Sequence, residues 1–168
     1  MAKILIVVDM QNDFIDGALG TPEAVKIVPR VKAKIEEYEK NDDPIIFTQD
    51  THFKNYLDTQ EGIKLPVPHC ITDTYGWEIA DGLNDNEHES VLKTTFSCTF
   101  WDTFDFEERD IEIVGLCTDI CVIANALALK MHFPETPIKV DSTCCAGTTP
   151  EAHEAALTVM RSCQIEVI

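Results

Sequence analysis

Ile113-Val114-Gly115-Leu116-Cys117-Thr118-Asp119-Ile120-Cys121-Val122 packs the end of one element and the start of another into a single short stretch. An apolar, β-branched run stops at Gly115. A helical pattern rich in Ala and Leu opens at Thr118 or Asp119 and runs to His132. A strand that feeds directly into a helix is the repeating unit of α/β proteins. Cys121 falls in the first helical turn, beside unpaired backbone N–H groups and the positive end of the helix dipole. Both favour thiolate over thiol, which makes Cys121 a candidate nucleophile.

Outward from this stretch the same unit recurs. Apolar runs at Lys3–Asp9, Pro44–Thr48, Ser90–Lys93, Pro137–Asp141 and Ile165–Ile168 read as further strands. Residues 22–40 carry Val25, Val28, Val31 and Ile35 at helical spacing, opened by Thr21 as cap and Pro22 at the first position. Pro29 inside that pattern predicts a kink or a late start. Thr149-Pro150-Glu151 opens a final helix to Ser162, and Gly76–Leu83 reads as a short helix. The strands are apolar throughout rather than alternating, as expected of strands covered on both faces. The predicted fold is therefore a three-layer α/β/α sandwich around a mainly parallel six-stranded sheet, formed by residues 1–168 as one domain. The stretch 50–75 stays irregular and is long for a compact domain, a mark of functional loops.

Ligands of open parallel sheets bind beyond the carboxyl ends of the strands. Asp9, Asp50, Lys93 and Cys121 all fall at or just past such ends. Asp9 is placed to take the thiol proton and Lys93 to hold both charges. The same residues would also suit an Asp–Lys ion pair beside an inert cysteine. Peptide groups around Cys117–Cys121 are placed to point N–H groups at an oxyanion, or to be capped by Thr118 or Asp119. Asp50 and His52 point the same way on an extended segment. With Glu61 and His69 they form a donor set for zinc, iron or manganese. The other histidines, His88, His132 and His153, read as solvated. Of the aromatics Phe14, Phe53, Trp77, Phe96, Phe100 and Trp101, Phe14 is best placed for a ligand, in the loop after Asp9.

The chain carries a formal net charge of −17, which disfavours nucleic acid and anionic membranes as partners. The apolar run Ile4–Val8 is too short for a signal peptide or a membrane span, so a cytoplasmic protein is expected. Seven cysteines without a CxxC pair argue against a disulfide framework, a zinc ribbon or a thioredoxin-type site. Most read as small buried hydrophobes, and the vicinal Cys144–Cys145 pair is a candidate redox site.

Four segments together resemble the isochorismatase-like cysteine hydrolases, in their nicotinamidase group. They are Ile6-Val7-Val8-Asp9-Met10-Gln11-Asn12-Asp13-Phe14, Lys93-Thr94-Thr95-Phe96-Ser97, Gly115–Val122 and Asp141–Gly147. The resemblance implies Cys121 as nucleophile, Asp9 as general base and Lys93 as its electrostatic partner. It implies a cis Leu116–Cys117 peptide and an oxyanion hole from the N–H groups of Cys117 and Cys121. Asp50, His52, Glu61 and His69 would hold a divalent metal, foremost zinc, and Phe14 would contact the substrate ring. The implied reaction is hydrolysis of a small aromatic amide such as nicotinamide through a thioester, with a place in NAD salvage and a homo-oligomeric assembly. The chain departs from that pattern at Leu65-Pro66-Val67-Pro68, where nicotinamidases often carry a tryptophan, and at Ile120 and Phe100. A metal-free cysteine hydrolase of another amide or carbamoyl compound is the alternative, and a non-catalytic binding protein on this fold the third reading.

Overall fold

The computed structural model describes residues 2–84, 88–106 and 108–168. Six strands form one sheet: β1 (Ala2–Val8), β2 (Ile45–Asp50), β3 (Glu89–Lys93), β4 (Arg109–Leu116), β5 (Ile138–Ala146) and β6 (Glu166–Val167). Their order is β3-β2-β1-β4-β5-β6, and every pairing is parallel. Hydrophobic alternation on β1 shows why the sheet is covered on both sides. Ile4, Ile6 and Val8 enter one core, and Leu5 and Val7 the other. Successive strand side chains point to opposite faces, so a run apolar at every position is buried twice.

The helices divide accordingly. On one face lies α2 (Pro22–Lys40), following a single helical turn, α1 (Asn12–Ile15). On the other lie α4 (Ile123–His132) and α5 (Pro150–Ser162), which bring Ala126, Leu129, Leu157 and Met160 to the core. A short helix, α3 (Gln60–Lys64), stands in the long loop after β2. Thr21 and Thr149 cap α2 and α5 through the amides of Ala24 and Ala152, as expected.

Several expectations are corrected. The buried face of α2 runs through Ala24, Ile27, Val31, Ile35 and Tyr38, so Val25 is half exposed. Pro29 interrupts nothing: α2 is continuous through it, because Pro29 sits on the exposed side where the Val25 carbonyl can face water. Gly76–Leu83 forms no helix beyond a 3-10 turn at Tyr75–Trp77, because Glu78 and Ala80 give their backbone groups to Asn12 and Met10 instead. Strand β5 runs on to Ala146, with a register shift against β4 between Ile113 and Gly115. Cys144 and Cys145 lie on that extension and face opposite cores. Both are free and buried, and each packs as a small apolar side chain in its own core.

Two backbone positions bring β1 and β4 together at the carboxyl edge. Gly115 has φ +121°, and a Cβ there would collide with the Val8 carbonyl oxygen. Only glycine allows that approach. One residue past Val8, Asp9 takes φ +47°, a left-handed conformation that turns its carboxylate under the neighbouring strands.

Candidate active site

Asp9, Asp50, Lys93 and Cys121 meet at the carboxyl edge of β1, β2, β3 and β4. Lys93 Nζ lies 2.7 Å from Asp9 Oδ2, 3.2 Å from Asp50 Oδ1 and 3.5 Å from Cys121 Sγ. It also donates to the Thr95 carbonyl at 3.1 Å. Asp9 accepts a 2.7 Å bond from the Thr48 hydroxyl. All four side chains are buried. Burial pushes the Asp9 carboxyl above its ordinary value, against the pull of Lys93. Burial would lower the Lys93 ammonium, but Asp9, Cys121 and Asp50 overcome it and hold the charge.

Cys121 corrects the expectation drawn from helix polarity. Burial, reinforced by the Asp9 charge, pushes its thiol well above the usual range, with Lys93 opposing. Burial and the neighbouring carboxylate therefore oppose the thiolate that helix polarity would favour, and Asp9 stands beside the sulfur. The helix start is also not ordinary. Thr118–Val122 forms a wide turn, with the Val122 amide donating to the Cys117 carbonyl five residues back. Such turns recur at functional positions. Neither Thr118 nor Asp119 caps it: the Thr118 hydroxyl pairs with His153 Nδ1 at 2.7 Å, and Asp119 accepts from the amide and hydroxyl of Thr148. His153 is thus half-buried and engaged rather than solvated. His88 likewise meets Glu39 at 2.8 Å, and only His132 is exposed. The Leu116–Cys117 peptide is cis.

Next to this group the predicted metal ligands converge. His52 Nε2 lies 2.9 Å from Asp50 Oδ2, and His69 Nε2 lies 3.7 Å from the same oxygen. Glu61 Oε1 stands 3.6 Å and 3.7 Å from the two ring nitrogens. His52 Nε2 is buried without an aligned hydrogen-bond partner. His69 Nδ1 bonds the Val67 carbonyl at 2.8 Å, which leaves Nε2 free to ligate. Two imidazoles and the Asp50 carboxylate gather within 4.8 Å of one another, one ring nitrogen orphaned and Glu61 at the side of the two rings, a donor set that fits a borderline divalent ion such as zinc. Burial works to raise the Asp50 carboxyl, but His52 and Lys93 win and lower it.

A cavity of roughly 420 Å³ opens over both groups. Cys121, Asp50 and His69 line it together with Phe14, Phe96 and Ile120. The ring of Phe14 sits 5.5 Å from that of His69. Cys117 also lines the cavity, its thiol pushed up to about 12 by burial. Of the other aromatics, Trp101 is core and Phe53 and Phe100 are exposed. Trp77 turns aside to donate to the Thr51 hydroxyl, so Leu65, not a tryptophan, completes the wall.

Sequence reasoning missed the residues that hold these groups. Gln11 is fully buried, and its side chain clasps the Asp50 peptide from both sides: its oxygen accepts from the Asp50 amide and its nitrogen donates to the Asp50 carbonyl, each at 2.8 Å. Asp13 accepts from the Cys70 amide and anchors the loop after His69. Asn125 donates to the Cys121 carbonyl at 2.8 Å. A polar residue inside an apolar motif, as in Met10-Gln11-Asn12-Asp13-Phe14, was the available signal for the first two.

The isochorismatase domain profile matches residues 3–168, and the chain belongs to that family. It is 26% identical to the nicotinamidase of Saccharomyces cerevisiae, with 99% of each chain covered. It is 30% identical to a probable inactive nicotinamidase of Arabidopsis thaliana, over 94% of this chain and 87% of that one. The pyrazinamidase of Pyrococcus horikoshii, solved in complex with zinc, superposes with a TM-score of 0.85 at 28% identity, over 100% of this chain and 99% of that one. These likenesses place the chain in the nicotinamidase-like group of amidohydrolases.

Proposed function

We propose that this amidohydrolase cleaves nicotinamide, or a closely related small aromatic amide, to the carboxylate and ammonia. The observation that carries the reading is one cavity lined by Cys121, with the Asp9–Lys93 pair behind it, and by Asp50, Glu61 and His69, with His52 gathered against Asp50 and His69. The acid, base and thiol are intact, which favours catalysis over a silent binding role. Asp9 takes the Cys121 proton as the thiolate attacks the amide carbonyl, while the Lys93 ammonium holds both anions in place. The N–H groups of Cys117 and Cys121 receive the oxyanion. Asp9 returns the proton to the departing ammonia. It then draws a proton from water, which attacks the thioester and frees Cys121.

A divalent ion held by Asp50, His52, His69 and Glu61 would supply a Lewis-acid contact for a ring nitrogen and so fix the ring's orientation. Phe14, Ile120 and Phe96 wall the ring and exclude water. Zinc suits the donor set, with iron and manganese next. A cytoplasmic homo-oligomer serving NAD salvage is the corresponding cellular setting.

The test is ammonia release from nicotinamide, pyrazinamide and small carbamoyl compounds, with and without a chelator. Release from the two ring amides, lost on chelation and restored by zinc, is expected. Turnover of carbamoyl compounds alone, indifferent to the chelator, would overturn the reading.

A further inference from the structure

Asn125 lies one helical turn beyond Cys121 and is fully buried. Its side chain uses both ends. Nδ2 donates to the Cys121 carbonyl at 2.8 Å and to the Phe96 carbonyl at 3.3 Å. Oδ1 accepts from the Cys98 amide at 3.0 Å, the Trp101 indole at 2.9 Å and the Ser97 hydroxyl at 3.2 Å. One carboxamide therefore joins two walls of the cavity. On one side is the wide turn that carries the nucleophile. On the other is the loop after Lys93, which supplies the Thr95 carbonyl that holds the ammonium and the Phe96 ring that lines the pocket.

Energetics single this residue out. A buried amide group left without partners is strongly disfavoured, and here each polar group of the side chain has one. A helix carbonyl at this position would ordinarily be satisfied by the amide four residues on, and the wide turn disturbs that ladder directly before Asn125. A side-chain donor takes part in repairing it. Donors crowded on Oδ1 polarise the amide and strengthen what Nδ2 gives.

We propose that Asn125 is a positioning residue that sets the nucleophile turn against the Lys93 loop, fixing Cys121 through its carbonyl and the substrate wall through Phe96, Ser97, Cys98 and Trp101. The proposal rests on Cys121 as the nucleophile but not on the identity of the substrate.

Two near-isosteric substitutions separate the halves of this role. Asn125→Asp keeps an acceptor for Cys98, Trp101 and Ser97, but turns an oxygen toward the Cys121 carbonyl. Asn125→Thr gives a hydroxyl that donates to the carbonyl four residues back, which is Cys121, and surrenders the bonds to the loop. Asn125→Asp should lower kcat by about tenfold to a hundredfold, the scale of a misplaced reacting group. It should also shift the pH profile of Cys121 alkylation by iodoacetamide. Asn125→Thr should keep kcat within about threefold and the alkylation profile unchanged, and raise KM about fivefold. A wild-type kcat and alkylation profile in Asn125→Asp would overturn the proposal. So would an Asn125→Thr enzyme whose kcat falls as far as that of Asn125→Asp. Alkylation needs no turnover, so failure of the substrate reading and failure of this proposal are told apart.

Discussion

Lys93 and Asp9 form a 2.7 Å ion pair in which neither side chain is more than 1% exposed, and the Cys121 sulfur stands 3.5 Å from the same ammonium. The pair is costly to bury and is sustained by Thr48, Thr95 and Asp50 around it. In the proposed reaction Asp9 takes the thiol proton as attack begins, while Lys93 stays paired to it.

Asp9→Asn should separate thiol acidity from turnover. Asp9 is one of the causes that push the Cys121 thiol up, and Lys93 pulls it down. Removing the carboxylate charge lowers the thiol's pKa, so alkylation near neutral pH becomes faster. Amide hydrolysis falls by about 10²- to 10⁴-fold for want of the base. Parallel iodoacetamide and ammonia-release assays check both signs.

His52→Ala and His69→Ala should each abolish stoichiometric zinc, read by elemental analysis of the dialysed protein. Glu61 is the most exposed of the four, at 26%, and Glu61→Gln should retain zinc with affinity reduced about tenfold. Equal retention of zinc in all three variants would place the ion elsewhere.

Gln11→Ala strips the Asp50 peptide of both partners. The expected cost is about 3 kcal/mol of stability in urea unfolding. Zinc affinity should drop about tenfold to a hundredfold, because the backbone that aims Asp50 is released.

Lys34→Met tests a charge cluster away from the site. Lys34 Nζ lies 2.7 Å from Glu112 and 3.1 Å from Asp141, and Glu112 also accepts from Tyr38. Burial works to raise Asp141, but Thr143 and Lys34 overcome it and hold the carboxyl below its ordinary 3.8. A depressed carboxylate adds stability above that value and loses it as pH falls through the folded pKa. Lys34→Met should therefore destabilise the protein by about 2 kcal/mol at neutral pH, moderated by solvent access. The deficit should shrink as pH drops below about 4. Urea titrations of both proteins across pH 3–7 measure it.

The sheet was readable because its strands are apolar at every position, and strand ends told where the site lies. Asp50, His52 and His69 stood out by residue type and loop, and the fold brings their donor atoms together, with Glu61 beside them. Gln11, Asp13 and Asn125 were not. Each acts by hydrogen-bonding the backbone of a distant segment, and partners that far apart in sequence leave no periodic trace. The forces on the Cys121 thiol were only partly legible for a related reason: local helix polarity is visible in sequence, whereas burial and a carboxylate from another strand are not. The inward face of α2 was misplaced because Ala24, Ile27 and Tyr38 lie on it and Val25 does not.

Lys93, Asp50, Asp9 and Cys121 arrive at or just past the ends of adjacent strands β3, β2, β1 and β4. Chain order differs from spatial order, so no contiguous fragment that stops before β4 contains them. Parallel pairings close long loops and form slowly. Turnover therefore reports completion of the sheet: a refolding protein should recover helical signal well before it recovers activity, and partially assembled forms should be catalytically mute.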